Sequence, residues 1–275
     1  MARMLMLFTS LLLSYSVGAQ GISAAESKLM IIEGKRLWQS RDQREILEEA
    51  LSKFDLAHAG DSKNTEVLAY LARGNFLLGE YFAVKDDEKM RFYEKAREYG
   101  DKGLALNEDY KKVLAKKGPE DAIDKLKKAD VPLLFWTAAS LGKWAKANGV
   151  FSSLKYKGQI LAMIKKVEEL EPDFFHASVP RYWGGFYAVA PSIAGGDMKK
   201  SKKKFEEAIK KAPEYLGTRV LFAELYWVKE ENKKEFKKEL EFVLAQKQSI
   251  EELAPENRME KKKAEMLLEK MDDLF

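Results

Sequence analysis

Prolines 172, 213 and 255 stand 41 and 42 residues apart, and each interrupts a stretch that is otherwise periodic in the manner of an α-helix. The segments read Glu169-Leu170-Glu171-Pro172-Asp173-Phe174, Lys211-Ala212-Pro213-Glu214-Tyr215 and Leu253-Ala254-Pro255-Glu256-Asn257. A proline in this setting closes one helix and can open the next at its first position, where a missing N–H does no harm. A recurrence of this length is the spacing of a stacked helix-pair repeat. A related segment, Ala105-Leu106-Asn107-Glu108-Asp109-Tyr110, precedes Pro172 by 65 residues counted from Asn107. That excess places an insertion of about two dozen residues in one repeat, assigned to residues 111–131, which are lysine-rich and broken by Gly118-Pro119.

Between these marks the apolar residues keep helical spacing. Ile46, Ala50, Phe54 and Ala57 form one stripe, Ile160, Met163, Ile164, Val167 and Leu170 a second, and Phe236, Leu240, Val243 and Leu244 a third. Each is backed by Lys and Glu, as a helix with one wet face requires. No β-branched run bounded by turn signals suggests a strand. The expected fold is all-α, a solenoid of degenerate helix pairs over residues 25–63, 64–109, 132–172 and 173–213, with a helical C-terminal cap over 214–275. Phe205, Ala208 and Pro213 stand as in the second helix of a tetratricopeptide (TPR) unit.

Composition narrows the chemistry. Cysteine is absent, which removes disulfides, thiolate nucleophiles and cysteine-held metal. His58 and His176 are the only histidines. Lysine and arginine number 48 against 44 acids, spread along the chain, so no concentrated basic patch marks a nucleic-acid binder. Carboxylate pairs such as Glu48-Glu49 and Glu206-Glu207 fall on wet helix faces, and no nucleophile is matched to a base. No enzyme activity and no cofactor are expected.

The N-terminus has the pattern of a secretory signal peptide: Arg3, an apolar stretch over residues 4–17, and Val17-Gly18-Ala19 before Gln20. Cleavage after Ala19 would leave residues 20–275 as a single helical domain in the periplasm, not a lipoprotein, because no cysteine follows the cut. The apolar stretch is shorter than the roughly 20 residues that span a bilayer.

Two segments invite a functional reading. Gly195-Gly196-Asp197 lacks the Gly-Lys-Ser/Thr that a phosphate loop needs, so it is read as a turn with Asp197 capping the next helix. The aromatic residues Trp136, Trp144, Tyr182, Trp183 and Tyr187 are dense enough to line an apolar ligand site, or to be packing between helices. Arg181 is the cation placed to meet a carboxylate among them, with Lys143 and Arg219 as further candidates. The ligand-binding expectation therefore names Trp136, Trp144, Arg181, Tyr182, Trp183 and Tyr187.

The chain also resembles the TatT family, the TPR-like T component associated with tripartite ATP-independent periplasmic (TRAP) transporters. The resemblance rests on Pro172-Asp173-Phe174-Phe175, Tyr182 to Tyr187, Ala190-Pro191 leading into Gly195-Gly196-Asp197, and Leu221-Phe222-Ala223-Glu224-Leu225-Tyr226. Upstream, Leu134-Phe135-Trp136-Thr137-Ala138-Ala139-Ser140-Leu141-Gly142 fits that family's tryptophan-bearing helix. The likeness runs from about residue 51 to residue 245. It implies a non-enzymatic periplasmic partner of a TRAP solute-binding protein that handles a hydrophobic or organic-acid ligand. The missing lipidation cysteine departs from some relatives. A generic TPR-like interaction scaffold in cell-envelope assembly is the alternative, and self-association into a homo-oligomer is an expectation for a solenoid with apolar edges.

Overall fold

A computed structural model describes residues 22–247 and 250–275; the signal-peptide reading of residues 1–19 lies outside them. The described residues form helices and contain no strand, so the chain is all-α. Helices α1 (Ala24–Trp38) and α2 (Arg44–Gly60) make the first antiparallel pair. A reciprocal capping box starts α1, with Ser23 accepting from the Glu26 amide while Glu26 accepts from that of Ser23. The two helices approach closely because Gly34 faces the Phe54 ring, where a Cβ would fall only 2.6 Å from it.

Helix α3 (Thr65–Leu77), capped by Asn64, widens into a π-turn over Leu78–Phe82 before α4 (Asp86–Leu104) returns. Two short helices follow, α5 (Glu108–Lys117) and α6 (Pro119–Ile123), over most of the stretch read as an insertion. Then come α7 (Val131–Ala147) with α8 (Val150–Leu170), and α9 (Phe174–Val189) with α10 (Met198–Lys211). The glycine turn before α10 is built as its residues suggest. Gly195 takes the left-handed conformation at φ 96°, and the Asp197 side chain accepts from the Lys200 amide as N-cap.

The last part comprises α11 (Gly217–Phe222), prolonged by a second π-turn over Ala223–Trp227, then α12 (Lys233–Ala245), α13 (Ala254–Glu269) and the short α14 (Met271–Leu274). Phe236, Leu240 and Val243 are fully buried, as their stripe predicts. One large apolar cluster runs from α1 to α9, and a smaller one joins α10 to α13.

Helix α13 does more than end the stack. It turns back across the first helices of the pairs and ties both ends of the chain together. Glu256 meets Arg41 and Arg73, Arg258 meets Asp42, and Glu260 accepts from Tyr81. Lys263 bridges Glu80 and Glu224, while the Asn257 side chain accepts from the Leu216 amide and donates to the Glu214 carbonyl. Nothing in the residue pattern of 254–269 announces this return, because its partners are polar and distant in sequence.

Candidate functional site

The stack opens a cleft of 880 Å³ between α3, the start of α7, the turn from α8 to α9 and the turn from α10 to α11. Its aromatic walls are Tyr70, Trp136, Phe174 and Phe175, with Trp136 and Phe175 in edge contact at 5.0 Å between ring centres. These rings follow from ordinary amphipathic placement: Tyr70 and Arg73 share one face of α3, and Trp136 lies one turn after the Pro132 that opens α7.

The segment that carries Phe175 is less ordinary. Phe175, His176 and Ala177 are consecutive residues in the left-handed region, at φ 44°, 53° and 57°. L-residues without glycine resist this by about 1–2 kcal/mol each, so something must hold the turn. Arg181 does so: Nη1 donates to the His176 carbonyl at 2.7 Å and Nη2 to the Phe175 carbonyl at 3.2 Å. The guanidinium also lies 4.2 Å from the centre of the Tyr215 ring. The left-handed turn places Phe175, His176 and Ala177 on the cleft wall.

Charge in the cleft is unevenly paired. Arg73 sits 4.5 Å from the centre of the Phe175 ring and 5.4 Å from that of Trp136. Its Nη2 meets Glu256 Oε1 at 2.6 Å, but the same carboxylate also receives Arg41 through Nε at 2.7 Å and Nη2 at 2.5 Å. Two guanidiniums thus share one carboxylate, and the Arg73 Nε is buried with no hydrogen-bond partner. Burial pushes the Glu256 carboxyl up, but Arg73 and Arg41 more than offset it and keep it ionised below the usual range. The remaining charged groups on the cleft are mostly paired: Glu66 with Lys35, Asp173 with Lys211, and Glu214 beside His176 Nδ1 at 3.5 Å. A ligand with an apolar body and one acidic group fits this arrangement, the body against the rings and the acid toward Arg73.

Of the six residues named from sequence, the structure puts Trp136 on the cleft. Trp144 lies two turns further along α7, against Tyr156 at 5.8 Å and Arg97 at 5.1 Å. Arg181 stands behind the wall as the clamp of the left-handed turn. Trp183 is buried, with Nε1 donating to Glu168 at 3.1 Å and its ring stacked on Tyr187 at 5.8 Å. Tyr182 packs beside Trp183, and burial pushes its hydroxyl above the ordinary tyrosine range. Lys143 is committed to Glu80 and Arg219 to Glu239. Sequence reasoning did not name Tyr70, Arg73 or Phe175 as site residues, Phe175 entering only through the family resemblance.

Among the described residues no group of three or more His, Asp or Glu is placed to hold a metal ion, and no helix is long and apolar enough to cross a membrane. A search of curated proteins finds no match to the chain. A family model does match: that of the TRAP transporter T-component aligns with residues 81–275, which include α4 to α14 and, on the cleft, Trp136 and the Phe174–Ala177 wall. On that match over most of its length, and with an all-helical fold, the chain belongs to the TRAP transporter T-component family.

Proposed function

We propose that the protein is a periplasmic accessory component of a TRAP transporter that docks a solute-binding protein and holds an apolar organic acid in the cleft. Family membership supports the transporter role. The observation that carries the ligand reading is Arg73, a cation with a half share of one carboxylate, set among Trp136 and Phe175 on the cleft wall. An acid entering there exchanges its hydration for a guanidinium in a low-dielectric site, while its apolar body gains about 25 cal/mol per Å² removed from water.

The alternative, a TPR-like scaffold for extended peptides, would use the inner face of the stack. Along α11 and past the end of α3 that face is taken up by α13. The accessory reading is therefore the better supported.

Native mass spectrometry of the protein recovered from periplasmic extract tests it. The expected result is a complex with one solute-binding protein and a small acid of apolar body, the acid being lost from Trp136→Ala. Recovery with envelope-assembly proteins and no small molecule would overturn the proposal.

A further inference from the structure

Two turns on one edge of the stack expose large apolar side chains that no part of the fold covers. At the α7–α8 turn, Phe151 is 91% exposed and Val150 74%, with Leu154 following at 59%. At the α9–α10 turn, Ile193 is fully exposed, with Val189 beside it at 47%. Helices α7 and α9 begin side by side, where Phe135 contacts Phe174 and Trp136 contacts Phe175, and the two turns lie at their far ends.

Charge on this edge is predominantly basic, although Lys143 pairs with Glu80, Lys200 with Asp197 and Lys204 with Glu207. Residues 143–157 hold four lysines and no acid, and residues 186–204 hold five lysines and only Asp197, which is engaged as the α10 N-cap. Lys146, Lys155, Lys199 and Lys200 are exposed in the same segments as the apolar tips. Lys155 lies 5.0 Å from the centre of the Tyr156 ring, and Tyr156 in turn contacts Trp144, giving an amphipathic aromatic pair at the base of the first tip. The turns on either side differ: Val84 is followed by Asp86 and Asp87, and the turn after α11 carries Glu230 and Glu231.

From this geometry we propose that the α7–α8 and α9–α10 turns form a peripheral membrane-binding surface for anionic lipid. Phe151 and Ile193 stand almost wholly free of the fold on two turns, which suits insertion into a soft apolar medium. Exposed apolar residues with lysines and an aromatic pair in the same segments match the chemistry of acyl chains, phosphates and interface. The proposal is independent of the cleft and of any solute-binding partner.

Vesicle flotation of the full chain tests it, comparing phosphatidylcholine vesicles with vesicles that also contain phosphatidylglycerol, at low and high salt. The wild type is expected to float with the anionic vesicles and to be released by salt. The double variant Phe151→Ser/Ile193→Ser is expected to bind about tenfold more weakly, since the two tips supply most of the inserted apolar area. Lys146→Gln/Lys155→Gln/Lys199→Gln should lose the preference for anionic lipid. All variants share one N-terminus, so any lipid affinity of residues 4–17 cancels, and every substituted side chain is exposed, so thermal melts should coincide. Equal flotation of wild type and double variant overturns the proposal. So does flotation of neither, or a double variant whose one defect is lost self-association in sedimentation.

Discussion

Arg181 and His176 are joined by a 2.7 Å hydrogen bond from guanidinium to backbone carbonyl, five residues apart on one segment, and that bond holds a turn the backbone would otherwise avoid. Arg181 is 7% exposed and finds no carboxylate; its partners are two carbonyls, the Thr218 hydroxyl at 3.5 Å and the Tyr215 ring. Replacing it by Ala leaves two strained carbonyls unpaired at a buried site, so Arg181→Ala is expected to lower unfolding free energy by about 3 kcal/mol. Arg181→Lys should recover only part, because a single ammonium cannot span both carbonyls as a planar fork does. Urea unfolding followed by tryptophan fluorescence measures both. A loss under about 1 kcal/mol for the Ala variant would show that the turn stands without the clamp.

The Arg41–Glu256–Arg73 group should be equally unforgiving. Arg41 and Glu256 are 2% and 1% exposed and 215 residues apart, so their bond fastens α13 to the loop after α1. Glu256→Gln strands the buried Arg41 guanidinium and the partly exposed one of Arg73, and is expected to cost about 3 kcal/mol. It should also raise amide exchange across α13 before the rest of the chain opens. Exchange that rises uniformly along the chain would mean that α13 is no separate closing element.

Acid sensitivity should come from Glu80. Burial pushes this carboxyl up, but Lys143 Nζ at 2.5 Å and Lys263 Nζ at 3.3 Å more than offset it, and the group is held down at about 2. Its folded value lies below its unfolded one of 4.5. The stabilisation is therefore complete above pH 4.5 and is lost as pH falls toward 2, amounting to roughly 3 kcal/mol. Glu260 acts in the opposite sense, since burial raises its carboxyl and the protonated form is favoured in the fold. Denaturant midpoints measured from pH 7 to pH 3 should fall on the acid side, and Glu80→Gln should flatten that fall at the expense of stability at neutral pH. A slope unchanged in Glu80→Gln would assign the acid loss to other carboxylates.

The all-helical class and the helix-pair order were legible because both are written in short-range periodicity. Stripes such as Phe236, Leu240 and Val243 report burial directly, and Asp197 after two glycines reports a cap. Of the cleft's lining, sequence reasoning named only Trp136. Arg73 was missed because its significance depends on sharing Glu256 with Arg41, a relation across 183 and 215 residues that no local pattern encodes. Arg181 was singled out for a carboxylate, yet its charge is spent on carbonyls of a left-handed turn that contains no glycine or asparagine to mark it. Trp183 and Tyr187 drew attention by density alone, and the structure stacks them on each other, away from the cleft.

Two helical glycines give a paired test of how tightly the stack is fitted. A Cβ at Gly100 on α4 would fall 1.8 Å from the Thr137 hydroxyl on α7, and that hydroxyl is fixed by its 2.7 Å bond to the Leu133 carbonyl. Thr137 is fully buried, so the clash cannot be relieved by swinging the side chain into water. Gly100→Ala is expected to force α4 and α7 apart and cost about 1–3 kcal/mol despite the better helix propensity of alanine. Gly142, also on α7, meets nothing within 4 Å, and Gly142→Ala should raise stability by about 0.4–1 kcal/mol through the unfolded chain and propensity alone. Thermal melts of the two variants should move in opposite directions. If both rise, the α4–α7 contact yields more easily than a close-packed interface does, and the glycine at 100 is there for a reason other than helix approach.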